Sequence, residues 1–159
     1  MTTRRFLMSM AFLASAASAA AGQSATQVIT FQVDAINQIT FAGSPSLVIN
    51  TATAGSNPTS ATAAATWAVT TNQTGAKITA SIGSAMPTGV TLSVNLTAPA
   101  GASSAGSQSL STTSVDLVTG ITKVAQGTLA VSYSLAATPV AGVVASTTRT
   151  VTYTITGGT

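Results

Sequence analysis

Apolar side chains recur at every second position over most of this chain. In GVTLSVNLTA, Val90, Leu92, Val94 and Leu96 share one face while Thr91, Ser93, Asn95 and Thr97 share the other; in GTLAVSYSLA, Leu129, Val131, Tyr133 and Leu135 do the same. A period of two is that of a strand with one face buried. The same alternation predicts strands over 27–35, with Ile29, Phe31 and Val33 on one side, and over 36–41, 46–49, 65–72, 77–82 and 115–123. It also predicts a closing strand, RTVTYTIT, with Val151, Tyr153 and Ile155 on one face and Thr150, Thr152, Thr154 and Thr156 on the other. Between these runs lie NTATAGSNPTS, NQTG, GSAMPTG, APAGASSAGS and ATPVAGVV, clusters of Gly, Pro, Asn and Ser that mark turns. Short strands at this spacing predict an all-β fold, an immunoglobulin-like β-sandwich of about 8–9 strands, with a closed β-barrel as the alternative. Trp67, the single tryptophan, is expected to fill the space between the sheets.

The first residues depart from this pattern. MTTRRFLMSMAFLASAASAAAG has a basic start, an apolar run from Phe6 to about Ala17, and small residues spaced as a cleavage site requires. That is the layout of a secretory signal peptide, expected over 1–21 and removed to leave one β-sandwich domain over 22–159. The arginine pair resembles a twin-arginine export signal, but Phe6 follows Arg5 directly where that motif has an intervening residue, so general secretion is the expectation. The apolar run is shorter than the ~20 residues that span a bilayer, so no membrane span is expected in the mature chain. A secreted or cell-surface location follows. The sequence has no cysteine, so an exported chain of this kind holds itself together without disulfides and carries no lipid on a cysteine.

Charge narrows the function classes. Only 4% of residues are charged, against ~25% in ordinary soluble domains, while the apolar share is an ordinary 45%. Arg4 and Arg5 belong to the leader; what remains sets Lys77, Lys123 and Arg149 against Asp34 and Asp116, a net charge of +1. No basic patch exists to neutralise phosphates, which argues against a nucleic-acid partner. Histidine, cysteine and glutamate are all absent, so a serine nucleophile lacks its usual base and a zinc site its nitrogen and sulfur ligands. A glycosidase pair would require Asp34 and Asp116 to meet across a cleft. The expectation is no enzyme and no cofactor, with both aspartates at turns or strand ends. Asn72-Gln73-Thr74 and Asn95-Leu96-Thr97 match the glycosylation pattern, but such matches arise by chance in a threonine-rich chain. A lysine-to-asparagine crosslink through Lys77 or Lys123 would need a carboxylate beside the pair.

TQVITFQVDAINQITF close behind the leader, TWAVTTNQTGAKITASI in mid-chain and the closing RTVTYTIT together resemble small exported bacterial surface domains. The resemblance is to WxL-type cell-wall modules and to β-sandwich fibre subunits of pilin-like type. It implies an extracellular structural or adhesive role. Trp67-Ala68-Val69 lacks the leucine of the WxL tripeptide, so wall binding is not carried over.

Threonine on an outward strand face favours the strand while supplying none of the charge, Lys above all, that keeps exposed edges from pairing with neighbours. Two assembly elements are therefore expected. One is the strand carrying Ile29, Phe31 and Val33, which either completes its own sandwich or inserts into a neighbour's sheet. The other is the face formed by Thr150, Thr152 and Thr154. The leading expectation is a self-associating subunit of an extracellular fibre, matrix or surface layer, whose partner is itself. The alternative is a secreted adhesion module for carbohydrate or another cell-surface polymer, with Trp67, Tyr133 and Tyr153 as its aromatic residues.

Overall fold

Nine strands, every pair antiparallel, carry the alternation into two sheets in the computed structural model, which describes residues 22–159. They are β1 (Asn37–Ala42), β2 (Ala61–Thr71), β3 (Ala76–Ile82), β4 (Val90–Leu96), β5 (Ser103–Ser104), β6 (Gln108–Ser109), β7 (Val115–Ile121), β8 (Val124–Ala137) and β9 (Val151–Thr156). One sheet has the order β1-β2-β8-β4-β6 and the other β5-β7-β3-β9. Neither closes on itself, so the fold is the β-sandwich and not the barrel. The signal peptide expected over 1–21 lies outside the described residues.

The inward positions of the alternation make the core between the sheets. Val94 and Leu96 of β4, Trp67 and Val69 of β2, and Val131 of β8 come from one sheet; Ile78 of β3 and Leu117, Val118 and Ile121 of β7 meet them from the other. Trp67 is only 1% exposed, as its expected place requires. Thr71 is the buried polar residue among the described ones, and its hydroxyl donates to Asn37 Oδ1 at 2.6 Å while accepting from Gln73 N at 3.0 Å. Burial without those partners would cost about 1–3 kcal/mol.

Register is interrupted where β8 carries two residues, Gly127 and Thr128, opposite Ala68 of β2, between the pairs Trp67–Leu129 and Val69–Gln126. This is a β-bulge, and Thr128 within it has φ of +58°, a left-handed conformation uncommon for a β-branched residue.

Four expectations are corrected. Residues 27–35 form no strand; the described chain has no regular structure before Asn37. Alternation makes a segment able to be a strand, but a strand exists only with a ladder partner, and none of the nine pairs with it. The same holds for 46–49, where Leu47 and Ile49 are half-buried and Val48 is exposed but no strand of either sheet pairs with the run. Conversely, β5 and β6 arise inside APAGASSAGSQS, most of which reads as a turn cluster. Their two-residue lengths leave no periodicity to detect. The strand expected over 115–123 ends at Ile121, and a short link through Lys123 at φ +43° turns the chain straight into β8.

Residues Val33–Thr159 form the sandwich unit, and residues before Val33 fall outside it. At the boundary, Asn72 holds the chain: its Nδ2 donates to Asp34 O at 2.7 Å and its Oδ1 accepts from Ile36 N at 2.8 Å.

Candidate functional site

The two long sides of the sandwich differ. On the side of β5 and β6 the sheets are stitched by the chain that crosses between them. Leu110 N donates to Leu92 O at 2.8 Å, Ile82 N to Ser111 O at 2.9 Å, Ala105 N to Leu117 O at 2.8 Å and Ser104 Oγ to Leu96 O at 2.7 Å. On the other side β1 pairs only with β2 and β9 only with β3, leaving one free ladder edge on each. Among the described residues no backbone hydrogen bond joins β1 to β9.

Side chains bridge the free edges instead. Phe41 of β1 stacks on Tyr153 of β9 with ring centroids 3.8 Å apart and on Trp67 at 6.0 Å. The Tyr153 hydroxyl shares a hydrogen bond of 2.7 Å with that of Tyr133, on β8 in the facing sheet. Burial first, then the hydrogen bond to Tyr133 and its charge, pushes the Tyr153 phenol far above its ordinary range. Tyr153 therefore keeps its proton at every ordinary pH and serves as a tie between sheets rather than as an acid or base.

Beyond this cluster a trough of about 1250 Å³ opens. Ile39 and Phe41 of β1, Val151 and Tyr153 of β9 and the ends of β4 and β8 form its floor, and the runs 45–52 and 144–149 line it. Arg149 secures the second run: its Nε and Nη2 donate to Ala85 O, both at 3.2 Å, and its Nη1 donates to Thr148 O at 2.8 Å and Thr147 Oγ1 at 3.2 Å. The lining contains no carboxylate.

The residues singled out from sequence fall in different places. Ile29, Phe31 and Val33 are exposed, Phe31 to 89%, and belong to no strand. Thr150, Thr152 and Thr154 are exposed too, the last two on the outward face of β9, where they stand opposite Ser81 and Thr79 of β3. They point away from Val151 and Tyr153, hence away from the trough. Trp67 lies in the core and Tyr133 and Tyr153 against each other, so none of the three offers a free ring face as a platform. Asp116 is the second residue of β7, at the start of the strand, and pairs with Lys77 at 3.0 Å, both side chains about half exposed. Among the described residues no three His, Cys, Asp or Glu side chains gather as a metal site would require. The trough itself was not foreseen. Its only sequence trace is the strand-like LVIN, residues 47–50, which finds no partner in the fold. Comparison with protein-family models, curated proteins and solved structures returns no match for this chain.

Proposed function

We propose that this chain is a secreted structural subunit that self-associates into an extracellular fibre, matrix or surface layer. The observation that carries the reading is the exposed segment preceding β1, in which Ile29, Phe31 and Val33 alternate with Thr30, Gln32 and Asp34. Covering each of those apolar side chains is worth about 1.5–3 kcal/mol, so the segment gains most by entering an apolar site. A nearly neutral surface supports the same reading, since little charge repulsion opposes edge-to-edge pairing.

Binding of a glycan as a monomeric module has weaker support, because the aromatic rings are committed to one another and to the core. Sedimentation velocity and negative-stain microscopy of the secreted protein test the proposal. Oligomers or filaments that grow with concentration are expected. A strict monomer across the micromolar range, with no filaments on cells, would reject it.

A further inference from the structure

Beyond self-association, and without resting on it, we infer that the trough beside β1 and β9 is a binding site for an amphipathic anion, a long aliphatic chain ending in a carboxylate, with Arg149 facing the head. The floor supplies the apolar half. Ile39, Phe41, Leu135, Val151 and Tyr153 pack on the core from inward positions of their strands, yet each keeps part of its surface uncovered or lies at the trough's edge. The inward residues of β3, from Ala76 to Ile82, are by contrast at most 2% exposed. At about 1250 Å³ the space exceeds the roughly 300–1,000 Å³ that encloses a compact ligand, so it suits a long occupant.

Charge supplies the other half. Arg149 is the one charged residue of the lining, and among the described residues it forms no salt bridge. Its Nε and one Nη2 N–H go to Ala85 O, and its Nη1 goes to Thr148 O and Thr147 Oγ1. Those four bonds reach neutral oxygens: they fix the guanidinium in place without cancelling its charge, and of its five N–H groups they leave one on Nη2 for a ligand. A half-buried cation beside apolar surface is poorly solvated, and an anion that brings its own apolar body compensates both the charge and the uncovered floor.

Other ligand classes fit less well. A glycan calls for open aromatic faces and fixed planar polar groups, whereas the lining offers Asn50 as its one amide and its rings are stacked or hydrogen-bonded to one another. A cation finds no carboxylate in the lining, and a multiply charged anion finds a single arginine.

Fluorescence titration of the full secreted protein with cis-parinarate, a long polyene carboxylate, and with its uncharged methyl ester tests the site. The parent should bind the carboxylate saturably and at least tenfold more tightly than the ester. Arg149→Gln should remove that preference while changing the affinity for the ester less than twofold. Equal losses for both probes would mean that the arginine only shapes the trough by tying 147–149 to Ala85, and would overturn the anion reading. In the unsubstituted parent the preference should shrink as salt is raised towards 1 M, where screening shortens the reach of a charge to about 3 Å; a preference indifferent to salt counts against Arg149. Ala137→Trp, which fills the floor at the end of β8, should weaken both probes at least tenfold, with the fold checked by circular dichroism. Unchanged binding in that folded variant would place the probe elsewhere and reject the trough, as would a parent that binds neither probe. A failure here leaves self-association standing, and a strict monomer that binds the carboxylate rejects self-association alone.

Discussion

Tyr153 ties the two sheets through one hydroxyl, and its environment sets a pH limit on the fold. Its phenol is raised far above the ordinary 10.0, chiefly by burial. In the unfolded chain the group ionises near pH 10, while in the folded chain it stays protonated, so above that pH the unfolded state binds fewer protons and stability falls as pH rises. The contribution is fully present below pH 10 and is lost progressively above it. Thermal melts between pH 8 and 11.5 should show a steep fall in Tm for the parent and a shallower one for Tyr153→Phe. The variant should also start lower, because Tyr133 loses its 2.7 Å partner. Parallel curves would show that another group governs the alkaline limit. Trp67 presents a different imbalance, since its indole N–H is buried with no partner. Trp67→Ala should cost about 3–5 kcal/mol by leaving a cavity. Trp67→Phe should cost far less, since it keeps most of the ring and removes the unpaired donor. Urea unfolding followed by circular dichroism measures both.

At the level of elements, the alternation along β4 is the clearest case of sequence dictating structure. Leu92, Val94 and Leu96 are buried and Thr91 and Asn95 exposed, so Leu92→Asp should abolish secretion of folded protein while Thr91→Lys changes stability by less than about 0.5 kcal/mol. A similar loss in both variants would mean the faces are misassigned. Gly89, which leads into β4, shows a constraint that alternation cannot reveal. It has φ of +75°, its O accepts Thr138 N at 2.8 Å, and a Cβ there would lie 2.7 Å from Ala141 N in the 3-10 turn Pro139–Ala141. Gly89→Ala should destabilise by at least the ~1–3 kcal/mol of left-handed strain, with backbone collision added, and chemical denaturation checks it. Period two was legible because inward and outward positions follow from the pleat alone. Pairing was not legible. Residues 27–35 and 46–49 alternate as well as β9 does, yet only β9 finds a ladder, because pairing depends on what lies beside a strand in space. The two-residue strands β5 and β6 were invisible for the opposite reason: pairing makes them, without any pattern of their own.

For the whole molecule the same distinction separates the N-terminal segment from the trough. Ile29, Phe31 and Val33 could be picked out from the nine consecutive letters 27–35, whereas the trough is assembled from residues around 40, 48, 90, 135 and 147, whose adjacency only the fold creates. The threonine face of β9 was equally legible, and its position now separates two kinds of contact. Thr152 and Thr154 point away from the trough and, with Thr79 and Ser81 of β3, form a neutral outer surface of the sandwich. Uncharged flat sheet faces pack against one another unless charge intervenes. Thr150→Lys with Thr152→Lys should therefore leave the subunit fold and end-to-end assembly intact while abolishing side-by-side bundling, seen by microscopy as single filaments in place of bundles. Repulsion between exposed lysines acts over about 10 Å at 0.1 M salt and about 3 Å at 1 M, so bundling should return as salt is raised. If the lysine pair dissolves the filaments into monomers, assembly runs through the threonine face and the N-terminal segment has another purpose.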